Sequence, residues 1–368
     1  MAWRVPMVDL AADRAEAGLA VEAALRRVLD SGRYVLGPET AAFEAEVATR
    51  VGTRFAVGVG SGTEALVLAL RALGVGRDDE VATTAFTHFA TVEAILQVGA
   101  APRFVDVEPD GFGMDPAGLE AALSPRTRAV LPVHLFGRCA DVARLRAVAD
   151  AAGLPLVEDA AQAFGAARGG RSAGAWGRLG CFSFYPSKTL GALGDAGCIT
   201  TDDPELALHL RRLRSHGVGS QERHEIVGTT SRLDSLQAAA LRAKLPHLKG
   251  WIEGRIRNAR IYREELRDCP GVSLPAEPPG EEIVWSQYTL RCADAPRVRR
   301  ALAGAGIEWR HYYPRPAPAE PALACLEIEP SGFPEARRRC EEVVSVPIRS
   351  SLAPDAIREI AAVIRSAN

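Results

Sequence analysis

From about residue 55 onward, short runs of almost wholly apolar side chains alternate with segments whose apolar positions recur at helical spacing. The runs cover 55–59, 80–83, 103–107, 128–134, 154–158, 181–184 and 198–201. Strands buried on both faces read as continuous apolar runs rather than as alternating ones. Helical patterns near 63–73, 88–98, 115–123 and 139–152 lie between them. The repeat of about 25 residues predicts strand–helix–strand units, hence a mostly parallel sheet covered by helices on both faces. Upstream, 13–29 predicts an amphipathic helix. Beyond Asp202 the pattern lengthens into helices over 203–214 and 234–266, with Asp234 and Gln237 spaced as a capping box. The Pro/Gly-rich stretch 269–282 predicts an irregular connection. Strands over 283–291 and 307–312 and helices over 294–304, 334–343 and 354–366 complete the chain. The reading is an α/β fold in two parts: a large domain over 1–245 that includes the N-terminal helix, and a smaller α+β domain over 246–368.

Composition narrows the class without naming it. The chain has 368 residues, 47% hydrophobic and 24% charged, with a formal net charge of -2. Nothing basic is interleaved with aromatics, so nucleic acid and anionic membrane surfaces are not expected partners. Seven cysteines are scattered with no CxxC spacing, which predicts reduced, apolar-packing thiols rather than a disulfide or zinc framework. The histidines show no ligand spacing, so no metal is expected. The N-terminus lacks a signal-peptide apolar region, and no run approaches the ~20 apolar residues of a membrane span. The expected compartment is the cytoplasm.

Three places could carry chemistry. Gly58-Val-Gly-Ser-Gly-Thr63 follows a strand and opens a helix, where bare N–H groups suit an anionic phosphate. A dinucleotide fingerprint fails there because Thr63 stands at the third glycine. A single-phosphate cradle and a tight turn that binds nothing both remain open. Glu158 and Asp159 stand at the carboxyl end of a predicted buried strand, the edge where ligands bind in open parallel sheets. A carboxylate there could pair with a cationic ring nitrogen, hold a ribose, bind magnesium or cap the next helix. Lys188, in Phe-Tyr-Pro-Ser-Lys-Thr-Leu-Gly, is either a solvated surface charge or a desolvated amine nucleophile. Together the three supply what pyridoxal phosphate requires, namely a phosphate site, a ring-nitrogen partner and an amine for the aldehyde.

Those segments, with YVLGPETAAFE, AFTHFAT, PVHLFG, VEDAAQAFGA, SRLDSLQAAALRAKL and HYYPRP, resemble the DegT/StrS family of pyridoxal-phosphate aminotransferases over about residues 34–347. The resemblance implies the aspartate-aminotransferase-like fold (fold type I) and a homodimer with shared active sites. It implies Lys188 as the Schiff-base lysine, Asp159 as partner of the pyridine nitrogen and Gln162 beside the ring's phenolic oxygen. Gly62, Thr63 and Ser183 match the phosphate contacts, and His88 falls where an aromatic usually stacks on the ring. Thr230 stands where the family usually has an asparagine reaching the phosphate from the other subunit. Ala317-Pro318 replaces a histidine often found after the YYPxP segment. His216, Arg232, Tyr312 and Tyr313 are the candidate sugar-pocket or interface residues.

The activity expected from this resemblance is amino transfer from glutamate to a nucleotide-linked (dTDP or UDP) keto-deoxysugar, in two ping-pong half-reactions. The alternatives are a cyclitol or other cyclic ketone as acceptor, or a non-catalytic regulatory relative. A nicotinamide-dependent dehydrogenase would reuse the glycine turn but leaves the Lys188 segment unexplained.

Overall fold

In this computed structural model the chain is described over residues 3–219, 222–326 and 328–367. The helices are α1 (Leu10–Ser31), α2 (Pro38–Val51), α3 (Gly62–Ala72), α4 (Phe89–Gln97), α5 (Pro116–Ala122), α6 (Val142–Ala151), α7 (Pro204–Leu213), α8 (Ser235–Lys244), α9 (Leu248–Leu266), α10 (Ala295–Gly304), α11 (Pro334–Glu342) and α12 (Pro354–Ser366). The principal strands are β1 (Phe55–Val59), β2 (Glu80–Thr84), β3 (Ala101–Val105), β4 (Thr127–Leu131), β5 (Val157–Asp159), β6 (Leu179–Ser183), β7 (Gly197–Thr201), β8 (Tyr288–Cys292) and β9 (Val343–Val346).

β1, β7, β6 and β5 form one ladder and β3, β2 and β4 another. Parallel bridges Val130↔Leu156 and Val133↔Asp159 join them between β4 and β5. The spatial order is therefore β1-β7-β6-β5-β4-β2-β3. β7 pairs antiparallel with both neighbours and the other pairings are parallel. The antiparallel β7 is the exception to the parallel rule, and its Gly197 lies against Ser61, where a side chain would strike the Ser61 carbonyl. The strands are buried along nearly their whole length, as a sheet covered on both faces requires.

A separate apolar cluster occupies the C-terminal part. It joins Tyr262 and Leu266 of α9, Tyr288 and Leu290 of β8, Val344 and Val346 of β9, and Ile357, Ile360 and Ile364 of α12. Val5 belongs to this cluster too, through a parallel bridge to Ile307. β8 and β9 pair antiparallel, with Val272–Ser273 on the far side of β8.

Five sequence expectations shift. The run expected at 103–107 pairs over Ala101–Val105, because the approach to α5 turns at Asp106. The expected helix over 234–266 breaks at the 3-10 turn Leu245–His247, where Pro246 lacks the N–H that an α-helix needs. Asp234 is the N-cap of α8 but makes no side-chain cap bond, and Gln237 Oε1 instead accepts from the Leu193 N–H at 2.8 Å. The strand expected over 307–312 reduces to single bridges at Ile307 and Arg310, and the one expected over 283–291 pairs only over Tyr288–Cys292. The helix α2 has no counterpart among the elements the sequence pattern predicts.

Candidate active site

A cleft of about 1120 Å³, its solvent mouth included, opens at the carboxyl ends of the parallel strands. Gly62 and Thr63 follow β1, Thr87 and His88 follow β2, and Val133 follows β4. Asp159 ends β5, Ser183 ends β6, and Lys188 lies five residues further on; all of these line the cleft. This is the edge at which helix N-termini and strand-end side chains converge in an open α/β sheet.

One side of the cleft is built by the start of α3. Ser61 is its N-cap, accepting from the Glu64 N–H at 3.1 Å. The N–H groups of Gly62 and Thr63 belong to the first turn and have no intrahelical acceptor. A Cβ at position 62 would lie 2.5 Å from Ser183 Cβ, so glycine is what lets the helix start approach the Ser183 hydroxyl. The glycine turn, the helix start and the Ser183 hydroxyl thus come together on one side of the cleft.

Of the two carboxylates at the end of β5, only Asp159 faces the cleft, because successive strand side chains point to opposite faces. Glu158 is fully buried behind it. It accepts from the N–H groups of Gly174 (2.7 Å), Trp176 (2.7 Å) and Gly177 (2.6 Å), and from His134 Nε2 at 2.8 Å. His134 Nδ1 accepts from the Ala140 N–H, so its proton sits on Nε2. Glu158 is thus a fully satisfied strut for the 174–177 turn. Asp159 Oδ1 accepts from the Ala161 N–H at 3.1 Å and Oδ2 from the Thr91 hydroxyl at 2.8 Å.

Lys188 is half-buried, and burial pushes its amine below the ordinary lysine value, with the Asp159 charge opposing that shift. The chain contains three lysines. Lys244 donates to the Gly191 carbonyl and Lys249 faces Glu253 on the surface, so Lys188 is the lysine of the cleft.

The aromatic wall is His88, Tyr312 and Tyr313. His88 caps α4 through Nδ1, which accepts from the Ala90 N–H at 3.1 Å. Burial, then the neighbouring Lys188 charge, lowers its pKa, so the ring is neutral with its proton on Nε2. Its ring meets Tyr313 edge-to-face at 6.0 Å. Burial raises the Tyr313 phenol far above its ordinary value. Gln162 Oε1 accepts from the Phe136 N–H at 2.7 Å, which fixes the amide so that Nε2 donates to Tyr313 Oη at 3.2 Å.

The pattern of the DegT/DnrJ/EryC1/StrS aminotransferase family matches residues 17–365. The chain belongs to this family. It is 46% identical over 98% of its length to the dTDP-3-amino-3,4,6-trideoxy-alpha-D-glucose transaminase of Streptomyces venezuelae, covering 95% of that protein. It is also 46% identical to the erythromycin biosynthesis sensory transduction protein EryC1 of Saccharopolyspora erythraea, over 98% of this chain and 99% of that one. The crystal structure of S. venezuelae DesV with a ketimine intermediate superposes with a TM-score of 0.96 at 44% identity, covering 100% of this chain and 99% of that one. The structure of ntda from Bacillus subtilis with bound cofactor PMP gives a TM-score of 0.90 at 26% identity, over 100% and 86% of the two chains. The fold is that of the fold-type-I aminotransferases, as the sequence predicts.

In this aminotransferase three of the sequence candidates stand apart from the cleft lining: Thr230, His216 and Arg232. Thr230 Oγ1 and His216 Nε2 are 2.8 Å apart on an exposed turn, with His216 at a φ of 58°. The adjacent Ser231 hydroxyl accepts from the Gly60 N–H, which ties this segment to the back of the glycine turn. Ala317 and Pro318 are buried, with the Ala317 N–H donating to the Ala85 carbonyl. Thr87, Thr91, Asp195 and Gln287 line the cleft and are not among the sequence candidates. The i, i+4 spacing of Thr87 and Thr91 across a helix start is visible in the sequence, but nothing local connects it to position 159.

Proposed function

We propose that this enzyme moves an amino group from glutamate to a nucleotide-linked keto-deoxysugar, with pyridoxal phosphate held in the cleft of Lys188 and Asp159. The observation that carries the reading is the meeting of Lys188, Asp159, Ser183 and the α3 N-terminus around one cavity. That donor set fits the cofactor: N–H groups and hydroxyls for a phosphate, a carboxylate for a cationic ring nitrogen, and an amine for an aldehyde. Relatives 46% and 43% identical are named as a dTDP-amino-sugar transaminase and a UDP-N-acetyl-3-dehydro-alpha-D-glucosamine 3-aminotransferase.

Pyridoxal phosphate, when bound, supplies an aldehyde that condenses with amines and a ring that accepts electron density. The Gly62 and Thr63 N–H groups, with the Thr63 and Ser183 hydroxyls, bind its phosphate. Asp159 keeps the ring nitrogen protonated by pairing with it, and low local dielectric strengthens that pairing. Gln162 would meet the phenolic oxygen, and the neutral His88 ring would cover one face. Lys188 would hold the cofactor's aldehyde through its Nζ. The same Nζ, when free, would be placed to take the proton from the donor's α-carbon as general base and to give it back as general acid. Its lowered pKa keeps more of it as free base at neutral pH. Tyr312 and Tyr313 are assigned to the acceptor pocket.

The assembly in this reading is a homodimer in the cytoplasm. Thr230, His216 and Arg232 then serve the partner's cleft rather than their own, which accords with their position outside the lining of the same chain. The large part of each subunit runs to about residue 245 and the smaller part follows. The test is amino transfer from L-glutamate to a panel of dTDP- and UDP-linked keto sugars and cyclitol ketones, with the amino product identified by mass and NMR. Turnover on one of them supports the reading. Turnover only on cyclitol ketones corrects the acceptor. A chain that binds the cofactor but transfers nothing would instead match the sensory name carried by EryC1.

A further inference from the structure

The hydroxyls of Thr87 and Thr91 form a hydrogen-bonded chain that ends on the Asp159 carboxylate of the cleft. All three are buried, Thr91 at 1% exposure. Thr91 Oγ1 lies 2.8 Å from Asp159 Oδ2 and 2.9 Å from Thr87 Oγ1. An ionised carboxylate only accepts, so the single Thr91 proton goes to Asp159. That leaves Thr91 a lone pair for Thr87, whose hydroxyl must be the donor between the two. The direction of the chain is therefore fixed: Thr87 to Thr91 to Asp159. The second oxygen, Oδ1, is held separately by the Ala161 N–H at 3.1 Å.

Both threonines stand at the start of α4, Thr91 in its first turn and Thr87 just before the N-cap His88. One helix start carries the ring of His88 on its outer side and the hydroxyl that aims Asp159 on its inner side.

We propose that Thr91, with Thr87 behind it, is a positioning residue for Asp159: it sets the rotamer of the carboxylate that is to meet the ring nitrogen of the cofactor. The proposal rests on the pairing of Asp159 with that ring under the proposed function. The methyl of Thr91 only fills space, and the hydroxyl alone performs this role, so Thr91→Val and Thr91→Ser separate the two. Thr91→Val is nearly isosteric and removes a hydrogen bond to a charged acceptor, an interaction whose loss corresponds to about tenfold in an equilibrium or rate.

The experiment measures pyridoxal-phosphate affinity on reconstitution of the apoprotein, the visible circular dichroism of the bound cofactor, and the single-turnover decay of its absorbance band with L-glutamate. In Thr91→Val the affinity and the limiting rate each fall about tenfold, the dichroic amplitude changes, and the half-saturating glutamate concentration stays within about twofold. Thr91→Ser restores all of these to near the wild-type values. Wild-type affinity and limiting rate in Thr91→Val overturn the proposal, as does a Thr91→Ser variant as impaired as Thr91→Val. Asp159→Asn run in parallel locates a failure. If it is impaired while Thr91→Val is not, only the positioning role falls. If Asp159→Asn itself behaves as wild type, the pairing of Asp159 with the ring falls and takes this proposal with it.

Discussion

Burial holds the Lys188 ammonium below its ordinary pKa, and the Asp159 charge only partly offsets this. Well below the folded pKa both the folded and unfolded chains carry the proton, and the folded chain bears the full desolvation cost. As pH rises from the lowered folded value toward 10.5, the folded site is already neutral and the cost fades. Apoprotein Lys188→Met is therefore expected to melt at a higher temperature than wild type near neutral pH, with the gap closing toward pH 10.5. Scanning calorimetry across that range checks it, and a gap that widens with pH contradicts it. Much of this site is legible residue by residue because each candidate sits beside a strong local signal: a glycine turn at 58–63, a strand end at 158–159, a glycine-bounded lysine at 188. The split between Glu158 and Asp159 is not, because it depends on which face of β5 the cleft opens. Nor is the Thr87–Thr91 pair, whose partner stands 68 residues beyond Thr91.

At the scale of elements, the hydrophobic period reveals existence and type, while boundaries obey tertiary bonding. α11 shows why. Its first N–H groups, from Glu335 and Ala336, donate to the Asp106 carboxylate at 2.9 and 2.8 Å, more than two hundred residues away. In return the fully buried Arg339 of α11 donates to the carbonyls of Gly111 and Pro109. This exchange ties the loop after β3 to α11, next to the apolar cluster of Phe86, Phe136 and Cys340 that backs Tyr312 and Tyr313. Asp106→Ala is expected to cost about 1–2 kcal/mol, the loss of a helix cap, read as a lower urea midpoint with an unchanged slope. Asp106→Asn should recover part of that. An unchanged midpoint for the alanine variant would mean that the exchange adds nothing to stability.

For the whole molecule, the residues proposed to serve a partner, Thr230, His216 and Arg232, stand outside the lining of their own chain's cleft. Tyr34, Val35 and Leu36, with Tyr185 and Leu193, are large apolar side chains left exposed in the single chain. The proposed homodimer makes a quantitative prediction. Chains carrying Lys188→Ala and chains carrying Arg232→Ala are each inactive alone. In mixed dimers, one of the two sites combines an intact Lys188 with an intact Arg232 from the other chain. Random mixing of equal amounts should thus restore about a quarter of the wild-type sites. No recovery after unfolding and co-refolding would show that each site is completed by its own chain. Dimerisation itself lies beyond the periodicity of the sequence and enters only through the family resemblance, since apolar surface shared between chains looks locally like any half-buried strand or loop.

The most direct test of a lysine-bound cofactor exploits the scarcity of lysine in this chain, only three in all. The holoenzyme is reduced with borohydride, digested and mapped by mass spectrometry. With the cofactor on Lys188, the visible absorbance band bleaches and the cofactor-derived label is found on the peptide containing Lys188. A label on Lys244 or Lys249, or a cofactor that washes away unreduced, would contradict the assignment.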